Sequence, residues 1–183
     1  VDRVIEGKTA SLMEQSMAMG AIIAGAPAAC VDALARYGRC MGFVFQTIND
    51  INNLTGFDLA VKGQAMTDLA LGRVGYPVLG LAMITGAEKT NLPASAPGIK
   101  QVDGSGDALR ALVQEGQLRD WLEKIIREYA GQARQALEVI PACGACDALD
   151  SIGREMFESW FWKPESSADR LGALRSDESP PAD

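Results

Sequence analysis

One carboxylate stands among amides in the stretch FQTINDINNLTGFD (45–58). It offers Asp50, flanked by Asn49, Asn52 and Asn53, with Asp58 following. On a helix, Gln46, Asn49, Asp50, Asn53 and Phe57 fall along one face, because steps of three and four residues return to the same side. Oxygen ligands placed this way suit Mg²⁺. That ion takes one or two protein carboxylates, keeps several waters and completes its shell with phosphate oxygens. Two other stretches supply cations. EGKTASL (6–12) carries Lys8 and Thr9, and KGQAMTDLALGRVGYPVL (62–79) carries Lys62, Asp68 and Arg73. Lys8, Lys62 and Arg73 would then hold a diphosphate. The same spacing also describes a solvated helix face decorated by Asn and Gln, with Lys8 and Thr9 on an exposed turn. Spacing alone does not choose between the two.

The rest of the composition narrows the chemistry. The chain has 183 residues and no histidine, so it holds no Ser–His or Cys–His nucleophile pair of its own. Acid–base or metal chemistry falls to Asp, Glu, Asn, Lys, Tyr or Thr. Cys143 and Cys146 have metal-ligand spacing, but a zinc site needs a second pair or histidines to close. Together with Cys30 and Cys40 they read as reduced, mostly structural thiols of a cytoplasmic protein. A net charge of −7 argues against nucleic acid or an anionic membrane as the main partner. No apolar run reaches the ~20 residues of a transmembrane span. The N-terminus carries no secretory signal.

The elements that must position these residues are helices. Val4, Ile5, Leu12, Met13, Met19, Ile22 and Ile23 recur at helical steps over 2–24, and GAP (25–27) ends that helix. A second helix is expected over 28–55. A polar loop follows to about 74, and a helix starts near Tyr76–Pro77, where proline is tolerated. A turn-rich loop covers 86–106, and a short helix 107–115. An amphipathic helix covers 117–139, and a last one 145–161. Residues 1–163 form one domain in this reading. The polar tail 164–183 is expected to be disordered. The fold class is all-α, helices packed as a bundle. The first two helices need covering on more than one side, and the others are too few to do it. A partner chain or a longer protein is therefore expected.

A resemblance covers most of the chain. KTASL…MGAIIAGAP, then YGRCMGFVFQTINDI, then a Lys/Asp loop, then GRVGYPVLGLA is similar to the C-terminal half of a trans-polyprenyl (isoprenyl diphosphate) synthase. The matching positions are Lys8–Thr9, Gly25–Ala26, Phe45–Gln46, Asn49–Asp50–x–x–Asn53, Lys62, Asp68–Leu69, Gly72–Arg73 and Pro77. The resemblance implies antiparallel helices around an apolar cavity, an absent N-terminal half and a homo- or heterodimer. It implies ionisation of an allylic prenyl diphosphate with Mg²⁺ at the leaving group. Lys8, Lys62 and Arg73 would contact the diphosphate. Phe45 would touch substrate, Thr9 and Gln46 would line the cation end, and Asp50, Asn49 and Asn53 would face the metal. Met13, Met17, Ile22 and Phe43 either line the cavity or pack the core.

The departure lies at the metal motif. The family's second motif is Asp-Asp-x-x-Asp, and here its first and third positions are Asn49 and Asn53. Each amide removes one negative charge. The motif also resembles, in part, the Asn-Asp-x-x-Ser/Thr-x-x-x-Glu pattern of class I terpene cyclases, with Phe57 where the glutamate belongs. Three readings follow: a prenyltransferase with an altered metal site, a cyclase on the same scaffold, or a regulatory subunit of a synthase pair.

Overall fold

The computed structural model describes residues 1–55, 74–85 and 116–158, and every regular element among them is helical. Asp2–Ile5 and Ser11–Ile23 are α-helical and are joined by one π-helical turn, Glu6–Ala10. The three run on as a single element, α1. Helix α2 spans Ala28–Thr55, α3 Tyr76–Thr85, α4 Gln117–Leu137 and α5 Gly144–Glu158. The polar loop with Lys62 and Arg73, the 86–106 loop, the 107–115 helix and the tail from 164 lie outside the described residues.

The break between α1 and α2 follows from backbone chemistry. Gly25 takes φ 69°, and the amides of Ala26 and Gly25 bond the carbonyls of Ala21 and Ile22, both at 3.0 Å. This Schellman closure satisfies two end carbonyls and needs a residue without a Cβ penalty. Pro27 follows, and its carbonyl accepts the first amides of α2.

Helix α2 is the spine. Its buried residues occupy more than one side: Tyr37, Met41, Val44, Ile48 and Ile51 form one stripe, and Phe43 and Gln46 lie beside it. Fully burying a side chain of this size contributes about 1.5–3 kcal/mol. One side meets α1 through two glycines. A Cβ on Gly42 would stand 2.6 Å from the Ala10 Cα, and one on Gly38 2.5 Å from the Met13 carbonyl oxygen. Backbone therefore meets backbone there, which sets the spacing of α1 and α2. Another side meets α4, where Phe43 stacks on Tyr129 with ring centroids 4.4 Å apart. Phe43 is therefore core. Helix α3 lies on α4 at Gly80, where a Cβ would sit 2.6 Å from Leu118 Cδ1. Helix α5 is tied back to α2 by the Tyr37 hydroxyl, which donates to the Leu149 carbonyl at 2.8 Å.

The first helix is continuous but contains a π turn. The fourth element ends at Leu137, two residues before the expected end near 139. Of the cysteines expected to be reduced and mostly structural, all four are free thiols; Cys40 is buried and Cys143 is exposed. The expected shortage of cover shows on α1, where Val4, Leu12, Met19, Ile22 and Ile23 are 57–85% exposed. Ile22 is exposed, and Met13 and Met17 are half-buried.

Candidate metal and substrate site

The π turn carries Lys8 and Thr9. A π turn adds a residue to the helical circuit, and such bulges concentrate at functional positions. Here it is held by the Glu6 carbonyl, which accepts from the Ser11 amide and from the Ser11 hydroxyl at 2.6 Å. Thr9 is half-buried against α2, while Lys8 is exposed. Neighbouring Ala10 has no exposed surface and lies under Gly42. The small residues at 10 and 42 thus bring the π turn onto α2 one turn before Gln46.

From there a chain of hydrogen bonds runs to the carboxylate. The Thr9 hydroxyl donates to Gln46 Oε1 at 2.6 Å. Gln46 Nε2 donates to Asp50 Oδ1 at 2.6 Å. The orientation of the Gln46 amide follows from the partners, because a carboxylate accepts only and so requires the NH₂ end. Gln46 is 5% exposed, so both ends of its amide are satisfied inside the protein. Asp50 is half-buried and Asn53 likewise, whereas Asn49 and Phe45 are exposed. The structure thus brings together Thr9, Gln46 and Asp50, with Lys8 beside Thr9 in sequence. Lys62 and Arg73 lie outside the described residues.

Sequence reasoning passed over a contact on the far side of Asp50. Gly75 abuts it so closely that a Cβ would fall 2.2 Å from Asp50 Oδ2. Next to it, the Tyr76 hydroxyl donates to Asp2 Oδ1 at 2.7 Å. That bond pins the start of α3 to the start of α1 and keeps Gly75 against the carboxylate. Burial, then the bonds to Asp2 and Tyr129, push the Tyr76 phenol well above its ordinary value. Burial also raises Tyr129. Both phenols are therefore neutral over the physiological range. The signal for Gly75 was available in GRVGYP: a glycine directly before a proline-started helix suits close approach.

The oxygen donors that the motif offers are the Asp50 carboxylate and, beside it in sequence, the amides of Asn49 and Asn53. Among the described residues no group of three or more His, Cys, Asp or Glu converges. The set therefore fits a hard cation that takes oxygen ligands and keeps water, and does not fit a soft-ligand metal.

The chain is similar to known proteins of one family. The family model "Polyprenyl synthetase" matches residues 2–102, more than half of the chain. A probable mitochondrial hexaprenyl pyrophosphate synthase of Neurospora crassa is 33% identical over 145 residues, covering 78% of this chain and 31% of that protein. The octaprenyl diphosphate synthase of Haemophilus influenzae is 30% identical over 150 residues, 82% of this chain and 46% of that protein. Among solved structures, a decaprenyl diphosphate synthase from Rhodobacter capsulatus superposes with a TM-score of 0.70 at 26% identity, covering 88% of this chain and 50% of that one. Geranylgeranyl pyrophosphate synthase from Corynebacterium glutamicum, complexed with calcium and isoprenyl diphosphate, gives 0.68 at 25% identity, covering 87% and 49%. This chain thus spans a third to a half of the length of these relatives. The helical fold and the family-model match, which covers α1, α2 and α3, place the chain in the polyprenyl synthetase family.

Proposed function

We propose that the protein ionises an allylic prenyl diphosphate and joins the resulting cation to isopentenyl diphosphate, as a prenyltransferase whose second metal motif is altered. The observation that carries this is the Thr9–Gln46–Asp50 chain, which holds the surviving motif carboxylate in one orientation. Asp50, with the amide oxygens of Asn49 and Asn53, would hold Mg²⁺, which when bound supplies positive charge to the leaving diphosphate. The Corynebacterium relative's complex with calcium and isoprenyl diphosphate supports a hard cation and a prenyl diphosphate at such a site. Lys8 would bind diphosphate oxygens from the π turn, joined by Lys62 and Arg73 from the sequence that follows α2. Gln46 orients Asp50, and Thr9 orients Gln46. The apolar side chains exposed along α1 support an assembly in which further protein covers them, either more of the synthase domain or a partner subunit.

The amides at 49 and 53 favour one second reading, a subunit that tunes a catalytic partner and turns over little by itself. Two lost carboxylates weaken metal binding, because charge–charge terms in a poorly hydrated site reach about 4 kcal/mol for a pair at 4 Å.

The test is to incubate the whole protein with Mg²⁺ and farnesyl or geranylgeranyl diphosphate, with and without isopentenyl diphosphate. Longer diphosphates that form only with isopentenyl diphosphate are expected. Hydrocarbon or alcohol from the allylic substrate alone would replace this reading with cyclisation. No turnover alone, with stimulation of an added synthase, would establish the subunit reading.

A further inference from the structure

The turn between α4 and α5 reads Cys143-Gly144-Ala145-Cys146, and the proposed prenyl chemistry uses none of it. The two sulfurs lie 3.3 Å apart, Cys143 exposed and Cys146 half-buried. Helix α5 begins at Gly144, so Cys143 is its N-cap residue and Cys146 lies in the first turn. The Cys143 carbonyl accepts the amides of Cys146 at 2.9 Å and Asp147 at 3.2 Å, as an N-cap carbonyl does. The cap position also puts the Cys143 sulfur where a Ser or Thr oxygen would meet the first free amides. The cysteine pair, its exposure and its place at a fifteen-residue helix are three separate observations that agree.

The electrostatics follow from that placement. The Cys146 amide, then the Cys146 thiol, hold the Cys143 thiol below its ordinary value, with help from the Ala145 amide and against the opposing effects of desolvation and Asp147. Cys146 is pushed up, chiefly by its bond to Cys143. One negative charge is thus favoured on the outer sulfur and a proton on the inner. Cys40 is the internal contrast: it is buried, and burial raises its thiol. A thiolate is the nucleophile in thiol–disulfide exchange, so the two environments predict different reactivity within one chain. Zinc is the competing occupant. The chain contains no histidine, and among the described residues no third ligand joins the pair.

We propose that Cys143 and Cys146 form a redox-active dithiol that exchanges with small disulfides such as glutathione disulfide, Cys143 attacking and Cys146 resolving. The Cys143 thiolate attacks one sulfur of the disulfide, forming a mixed disulfide and expelling one glutathione thiolate. The Cys146 thiol gives up its proton to solvent and attacks the Cys143 sulfur, expelling the second glutathione. Each expelled thiolate takes up a proton. The protein loses two protons and two electrons, and glutathione disulfide takes them up to become two glutathiones. Closure requires the sulfurs to move from 3.3 Å to the ~2.05 Å of a disulfide, within reach of side-chain rotation at an exposed turn. The pair sits away from Asp50. Leu137 and Ile140 pack with Tyr37 and Met41, in the first half of α2, and Asp50 lies about 13–20 Å farther along that helix.

The experiment exposes the fully reduced whole protein to glutathione disulfide at neutral pH and follows it by intact mass and by maleimide labelling of remaining thiols. The expected product has lost two hydrogens and two labelled thiols, carries no glutathione, and has both changes in the peptide spanning 143–146. Cys146→Ser should stop at a glutathione adduct on Cys143. Cys143→Ser should react about tenfold more slowly or less, because the thiolate fraction sets the rate. A wild-type protein that stays reduced, or ends as an open glutathione adduct, overturns the proposal. So does a Cys143→Ser variant that reacts as fast as wild type. None of these readouts depends on prenyl transfer.

Discussion

Gln46 Nε2 and Asp50 Oδ1 lie 2.6 Å apart, one helical turn from each other on α2, and Thr9 on α1 closes the far end of the same amide. A carboxylate that is to bind a cation is thus oriented by a buried residue. Groups that orient metal ligands typically govern affinity or activity by about 10–100-fold. Gln46→Ala should therefore reduce Mg²⁺-dependent turnover by about that factor and raise the Mg²⁺ concentration for half activity. An unchanged Mg²⁺ titration would remove Gln46 from this role.

Asp50→Asn tests the carboxylate itself. It keeps shape and removes charge, so Mg²⁺-dependent activity should vanish while stability stays within about 1 kcal/mol, as for most half-exposed changes. Turnover and a denaturant melt of the same preparation separate the two outcomes. Full activity would mean that this face is a solvated helix surface after all.

Restoring the lost charges should act in the opposite direction. With Asn49→Asp and Asn53→Asp together, the Mg²⁺ concentration for half activity should fall by about tenfold or more, given the size of charge–charge terms at a partly buried site. A titration that does not move would place residues 49 and 53 outside the metal's reach.

Two glycines should fail in different ways. At Gly42 a Cβ meets the Ala10 backbone, which cannot step aside. Gly42→Ala should cost about 1–3 kcal/mol of stability, the usual range for overpacking. At Gly75 the Cβ meets the Asp50 carboxylate, a side chain that can swing away. Gly75→Ala should spare stability more than Gly42→Ala and cut Mg²⁺-dependent activity, because the displaced carboxylate leaves Gln46. Thermal melts alongside turnover distinguish the pair.

The Tyr76 phenol predicts a pH dependence. Its folded value is raised above 10.0 by burial and by its bond to Asp2, so the neutral form belongs to the folded state. The stability it contributes is fully present below pH 10 and is lost as pH climbs from there toward the folded value, because the unfolded chain ionises first. Unfolding free energy should thus decline above about pH 10, and Tyr76→Phe should flatten that decline. A wild-type profile that stays level across this range would contradict the buried phenol.

Much of this protein was legible in its sequence because the relevant signals are local. Three- and four-residue apolar spacing announced α1, α2 and α4. GAP marked the break that Gly25 makes at positive φ, and Pro77 marked the first turn of α3. Motif order, from Lys8–Thr9 to Asn49–Asp50 to GRVGYP, carried the family. The π turn escaped, since one extra residue in a helical circuit leaves the apolar pattern nearly intact. The exposure of each cysteine was not legible either, because residue type does not tell whether a thiol is buried.

Contacts between residues distant in sequence were decided only in three dimensions. Thr9 and Gln46 are thirty-seven positions apart, and Asp2 and Tyr76 seventy-four. Their meeting depends on backbone approach at Gly38 and Gly42, which one-dimensional spacing does not encode. Composition and pattern determined that the chain would be helical and that a carboxylate would stand among amides on one face. Packing decided that Gln46, Thr9 and Gly75 surround that carboxylate. A side chain's partners are set by which helix lies across from it, and that follows from the shapes of all the helices together.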